Sequence, residues 1–183
     1  GQIKTILFIG RLEKRKAVDN LLKAYEGLLK IDKNLQLVII GDGPLRFELK
    51  NWAVAKNLTN VKFFGYVSEA EKIKWLNKAD LFCSPAMYGE SFGIVLLEAM
   101  ATGLVTVAGN NEGYRSVLRG TGSISLVDST NLDDFTNRLK LLLYNEEERA
   151  KWQQWAKVYV KQFDYAKITG QYIDVYKQAL LKN

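Results

Sequence analysis

At 183 residues, with 48% apolar and 25% charged side chains, the chain has the size and composition of one ordinary globular domain with a sizeable core. Its net charge of +6 is spread along helical patterns in which Lys alternates with Glu and Asp, as on solvated faces, so no nucleic-acid partner is expected. No apolar run approaches the roughly 20 residues that span a bilayer, no signal peptide is visible, and the lack of histidine removes the commonest general base and metal ligand.

The first element is an apolar strand at 5–9 that ends at Gly10. A compact basic group, Arg11 to Lys16, follows it. A helix is predicted over 18–31, with Leu21, Leu22, Tyr25, Leu28 and Leu29 at helical spacing. A second strand at 35–40 is closed by Gly41, Asp42, Gly43 and Pro44. Pro44 suits the first turn of the next helix, whose apolar marks are Leu45, Leu49, Trp52 and Val54. A third strand at 61–64 ends at Gly65. Ser68 and Glu71 read as a capping box that opens a short helix to about Asn77. A fourth strand at 79–84 carries the single cysteine, Cys83, which is read as core. One cysteine excludes an internal disulfide and fits a reducing, cytoplasmic setting.

A loop and helix follow at 88–103, with Gly103 as the glycine after the helix end. Two more strands are predicted at 105–108 and 124–127, with a short helix near 114–118 between them. Strands apolar throughout, alternating with helices, predict a parallel sheet covered on both faces. That is a Rossmann-like α/β fold with its ligand crevice at the carboxyl ends of the strands. Gly10, Gly41, Gly65 and the loop before Glu90 are expected along that one edge. After Asp128 the pattern is helical alone, at 132–144, 146–163 and 165–181. Trp152, Trp155 and Tyr159 share one helix face and are read as core. Residues 1–183 thus form one domain, with an α/β core over about 1–128 and a helical segment over 129–183.

The segment YGESFGIVLLEAMATG at 88–103 carries the chemistry. Glu90 and Glu98 have seven residues between them. Gly93 at the helix start leaves its own N–H and those of Ile94 and Val95 free to receive a phosphate. Glu98, just over a turn further in, is placed to accept from a ribose diol, and Glu90 in the loop to hold hydroxyls at the far end of the same ligand. The spacing suits a nucleotide-sugar. The bland alternative is an amphipathic helix with solvated acids.

Glu-x7-Glu within GESFGIVLLEAMATG resembles the donor-site signature of the family 4 retaining glycosyltransferases, which have the two-domain GT-B architecture. With the preceding DLFCSPAMY it most resembles the GDP-mannose-dependent mannosyltransferases, including those acting on phosphatidylinositol. Gly10-Arg11-Leu12 with Lys16 resembles the family's Gly-Arg-Leu…Glu-Lys-Gly segment. There the resemblance implies that Arg11 and Lys16 bind the donor diphosphate and stabilise the charge that grows on it as the glycosidic bond breaks. Two surface cations at a strand exit would be the plain reading. Lys14 and Arg15 match nothing in the family pattern, and Ala17 stands where the family usually has glycine.

Gly65-Tyr66-Val67 matches the family's base-contacting segment, where Val67 would meet the base through main-chain groups. Glu69 and Lys72 occupy the places of an acidic and a basic residue that help the mannosyltransferases read guanine; a solvated helix pair is the alternative. The chain departs from the family at Gly103-Leu104-Val105, which lacks the usual proline, and at Glu112-Gly113-Tyr114-Arg115-Ser116, where Gly-Gly-x-x-Glu is usual. Arg115 is shared with the phosphatidylinositol enzymes.

The resemblance implies a donor-binding half of a retaining glycosyltransferase, with the N-terminal acceptor domain outside this chain and the isolated half inactive. Arg11, Lys16 and the amides of Gly93, Ile94 and Val95 would hold the diphosphate, Glu98 the ribose, and Glu90 with the backbone of Ser91, Phe92 and Gly93 the sugar. Glu90, Arg11 and Lys16 would lie nearest the reacting bond. No cofactor and no metal are expected: there is no Asp-x-Asp, and cations serve the charge. The acceptor would be a glycolipid or polysaccharide hydroxyl, and peripheral association with the inner face of a membrane stays open. So do a UDP- or ADP-sugar donor, a nucleotide-sugar epimerase, and a non-catalytic binding module.

Overall fold

A computed structural model describes residues 2–163. Six strands form one sheet: β1 (Lys4–Ile9), β2 (Leu35–Ile40), β3 (Val61–Gly65), β4 (Leu81–Ser84), β5 (Thr106–Gly109) and β6 (Leu126–Val127). The order is β3-β2-β1-β4-β5-β6, and every pair is parallel. β1 and β2 pair along their whole length, from Lys4 opposite Leu35 to Ile9 opposite Ile40. β4 and β5 are buried at every position, as continuous apolar strands between two helical layers must be.

The helices are α1 (Val18–Leu29), α2 (Arg46–Ala55), α3 (Glu69–Lys78), α4 (Ile94–Ala101), α5 (Glu112–Val117), α6 (Leu132–Tyr144) and α7 (Glu146–Tyr159). α1 packs against α6, and α4 against α7. One core joins the strands to the inner faces of these helices, with Phe8, Tyr25, Phe82, Tyr114, Phe135 and Trp152 fully buried. Cys83 lies in it, and burial pushes its thiol pKa up. α4 ends in a Schellman motif: Leu104 N–H donates to Ala99 O (3.1 Å) and Gly103 N–H to Met100 O (3.0 Å).

Some boundaries differ from those the pattern predicts. β6 has two residues rather than four, because Gly120–Ser125 winds as a 3-10 segment. Trp155 packs directly on Gly122, where a Cβ would sit 2.1 Å from the ring. Arg138 of α6 takes the carbonyls of Ile124 and Leu126. Pro44 precedes α2 instead of lying in its first turn, since Leu45 N–H donates across to Leu12 O (3.0 Å) and Arg46 N–H turns back to Gly43 O (3.1 Å). Val54 points to solvent, 76% exposed. Ser68 Oγ accepts from Glu71 N–H at 3.2 Å, but the Glu71 carboxylate pairs with Lys74 (3.7 Å), so half of the capping box forms. The helix predicted to 163 closes at Tyr159, followed by a 3-10 turn, Val160–Gln162. The helix predicted over 165–181 lies outside the described residues.

Candidate functional site

The sheet order reverses between β1 and β4: the chain runs outward through β2 and β3 on one side and through β5 and β6 on the other. Loops leaving two adjacent strands in opposite directions open a crevice at their carboxyl ends, the usual ligand position in such sheets. The glycine-rich strand ends gather on this edge. Gly10 N–H donates to Ile40 O (3.0 Å), and Gly41 N–H to Gly65 O (2.8 Å).

The loop after β1 is pinned by Leu12, which is fully buried and donates its N–H to Asp42 O at 2.9 Å. Beyond it Lys14–Lys16 forms a 3-10 turn closed at Ala17. Ala17 sits in left-handed backbone (φ 54°, ψ 36°), a conformation that costs a non-glycine residue about 1–2 kcal/mol. Ala17 is buried and makes this reversal into α1 despite its Cβ.

This turn delivers two cations to one carboxylate oxygen. Lys16 Nζ and Arg15 Nη1 both donate to Glu90 Oε1, the latter at 2.8 Å. The Lys16 and Glu90 side chains are each 13% exposed. Arg15 Nε donates to Glu13 Oε1 (2.7 Å), and Arg11 Nε to Glu13 Oε2 (3.1 Å). Burial works to lower the Arg15 pKa, but Glu90 and Glu13 outweigh it and hold the guanidinium above its ordinary value. Glu90 was expected to be free in the loop; its Oε1 is instead tied to the β1 loop, and Oε2 is without a partner among the described residues. Arg11 stands apart from this pair, with its side chain 57% exposed.

Gly93 is the N-cap of α4, with φ 75° and its carbonyl accepting from Leu96 N–H at 2.9 Å. A Cβ there would lie 2.8 Å from the Tyr114 ring, so glycine is required by both backbone and space. Among the described residues no group accepts from the N–H of Gly93, Ile94 or Val95. Tyr114 is held by a buried hydrogen bond between its hydroxyl and Ser84 Oγ (2.7 Å). Gly113 comes so close to the loop that a Cβ would be 2.0 Å from Glu90 O. Ser91 and Phe92 are exposed at the loop tip, and Phe92 meets Phe163 edge-on at 5.8 Å.

Glu98 lies on α4 between apolar neighbours that enter the core, and its carboxylate emerges beside α3. Lys72 Nζ donates to Glu98 Oε1 (3.1 Å) and Oε2 (3.4 Å) and pairs with Glu69 Oε2 at 3.0 Å. Burial acts to lower the Lys72 pKa, but Glu98 and Glu69 reverse it and the net shift is upward. Glu69 and Lys72, expected to face a base, are thus joined to the carboxylate expected to face a ribose. Val67 is half-buried just before α3.

Sequence reasoning missed Arg15 and Tyr114. Arg15 stood in the basic group, but a 3-10 turn has no apolar periodicity to show which of three adjacent cations turns inward. Lys14 turns out, to Asp19 (3.0 Å). Arg115 stays near its own helix, donating to Asn110 O (3.3 Å) and Oδ1 (3.2 Å). A cavity of about 260 Å³ opens at the carboxyl ends of β4, β5 and β6, lined by Ala86, Met87, Asn110 and Val127 to Thr130. Among the described residues no three His, Cys, Asp or Glu side chains are grouped to hold a metal ion. No described helix is long and apolar enough to cross a membrane.

Comparison with known proteins agrees with this arrangement. The model of the family "Glycosyl transferases group 1" matches residues 2–159. The chain is 34% identical over 175 residues to the phosphatidyl-myo-inositol mannosyltransferase of Mycobacterium leprae, covering 95% of this chain and 46% of that protein. It is 34% identical over 181 residues to the phosphatidyl-myo-inositol mannosyltransferase of Mycobacterium tuberculosis, covering 96% and 47%. The chain therefore spans about half the length of these curated relatives. Its fold matches the catalytic domain of cholesterol-alpha-glucosyltransferase from Helicobacter pylori with a TM-score of 0.76 at 25% identity, over 88% of this chain and 99% of that one. The sheet is one half of the GT-B architecture, and the chain belongs to the group 1 glycosyl transferases.

Proposed function

We propose that residues 1–183 are the donor-binding half of a retaining glycosyltransferase that moves mannose from GDP-mannose to a hydroxyl of a glycolipid or polysaccharide. The observation that carries this reading is the Lys16–Glu90 pair, which brings the loop after β1 onto the loop before α4 at the crevice. A donor laid across it would meet Lys16 and the α4 amides with its diphosphate, Glu98 with its ribose and Glu90 Oε2 with its sugar. Arg11, exposed at the rim, would close on the diphosphate. Charge growing on the departing diphosphate would be met by fixed cations and helix-start amides, which need little reorganisation as the bond breaks. No metal is required by this scheme. The acceptor would attack from the face the leaving group vacates, which retains the anomeric configuration. It would be bound mainly by a domain outside this chain, at a cytoplasmic membrane face if it is a glycolipid.

Calorimetry with GDP, UDP and ADP and with their sugars tests the reading. GDP is expected to bind about ten- to a hundredfold tighter than UDP, the worth of one or two well-made base contacts. Equal or tighter binding of UDP transfers the donor to a UDP-sugar. That second reading draws support from Lys72, whose ammonium already serves two carboxylates. Binding without turnover, which the half-chain is expected to show, becomes turnover when the acceptor half is supplied in the longer protein. A protein that binds donors and never transfers would be a binding module, and one that interconverts them an epimerase.

A further inference from the structure

We infer that Arg15 is a positioning residue: it latches the loop at 87–90 to the turn after β1 and so fixes Glu90 for the donor sugar. The inference rests on the donor-site reading above. Met87 N–H donates to Arg15 O (2.8 Å), so main chain of the turn is tied to the start of the loop. The guanidinium closes the other side. Its Nη1 donates to Gly89 O (3.2 Å) and Glu90 Oε1 (2.8 Å), with Tyr88 O at 3.5 Å, while Nε is held by Glu13. The Gly89 backbone lies against the Arg15 stem, where a Cβ would be 3.3 Å from Cδ.

These carbonyls belong to an irregular loop with no strand or helix partner of its own, so they need a donor from elsewhere. A guanidinium holds its N–H groups in one rigid plane, so Nη1 can serve the loop while Nε stays fixed on Glu13. Lys16 shares Glu90 Oε1 but has a competing task, because a diphosphate in the crevice would draw its ammonium away from the carboxylate. Arg15 is the contact that then keeps Glu90 in place, with Oε2 turned free for a hydroxyl. Arg15 itself would not touch the donor.

Calorimetry on Arg15→Met, with GDP and GDP-mannose as probes, tests this. GDP affinity should stay within about twofold of wild type, and GDP-mannose affinity should fall about tenfold. Arg15→Lys should recover part of the loss. In Glu90→Gln the further Arg15→Met change should add little, because both act through one carboxylate. Hydrogen exchange should quicken at 88–93 in Arg15→Met and stay unchanged in the sheet. Equal weakening of both probes, or no change in either while wild type binds GDP-mannose, overturns the role of Arg15. Failure of wild type to bind any nucleotide-sugar instead overturns the donor-site reading, and this inference with it.

Discussion

Lys72 and Glu98 are 26 residues apart in sequence, on α3 and α4, yet Lys72 Nζ lies 3.1 Å from Glu98 Oε1. Their side chains are 13% and 15% exposed. α3 follows the edge strand β3 and must return across the sheet to reach β4, and that return carries its first turn past α4. The pair is the product of that crossover.

Replacing Lys72 by Met should therefore leave Glu98 largely buried without its cation, at a cost of about 1–3 kcal/mol in stability. The folded protein holds the Lys72 proton more tightly than the unfolded chain does. The pair's contribution is thus present in full below about pH 10.4 and is lost as pH rises through the folded value. Urea unfolding of wild type and Lys72→Met across neutral and alkaline pH checks this. The gap between the two should shrink above about pH 10.4; a gap independent of pH would show that packing, not charge, made the difference.

The two carboxylates of the motif should separate by what they hold. Glu98→Gln should weaken GDP and GDP-mannose alike, by about 1–3 kcal/mol. Glu90→Gln should spare GDP and weaken GDP-mannose, and in the longer protein it should lower turnover as well. Four binding constants against wild type decide the matter. If Glu90→Gln weakens GDP equally, the motif is a nucleotide clamp and the sugar lies elsewhere.

Gly93→Ala should cost about 1–3 kcal/mol, since the residue would keep left-handed backbone and push its methyl into Tyr114. Chemical denaturation measures the loss. A shift of the α4 start away from Tyr114 would also carry the free amides with it, so GDP affinity should fall in the same variant.

Phe163→Ala should loosen the loop from the other side. Phe163 stacks edge-on against both Phe92 (5.8 Å) and Tyr159 (5.2 Å), and Tyr159 lies flat on Trp155 at 4.8 Å. Each aromatic pair is worth about 0.5–1.5 kcal/mol beyond its buried area. A lower Tm, with faster hydrogen exchange at 91–93, is expected. Unchanged exchange there would show that Phe92 does not depend on this contact.

Much of the fold was legible because its signals are local. The run at 35–40, apolar but for Gln36, gives β2 residue for residue, and the helical spacing gives α6 at Leu132–Tyr144. Gly103 ended α4 as its chemistry predicts. The Glu90–Glu98 spacing, Gly93 between them and the two cations of the first loop also lay in contiguous sequence, which is why the family could be read there. Where a segment depended on a distant partner, local pattern failed. Residues 124–125 look like strand, but α6 supplies Arg138 for their carbonyls and α7 supplies Trp155 for Gly122, and neither is visible from the segment itself.

The sequence by itself thus determined most of the elements, their parallel arrangement and the family. Only the tertiary structure decided which of the charges face one another. Arg15 and Lys16 meet Glu90 across 75 and 74 residues, and Lys72 meets Glu98 across 26. Such pairs form because the sheet order reverses between β1 and β4 and because α3 returns over the sheet. A charge has no period along the chain; its partner is set by where the backbone carries it.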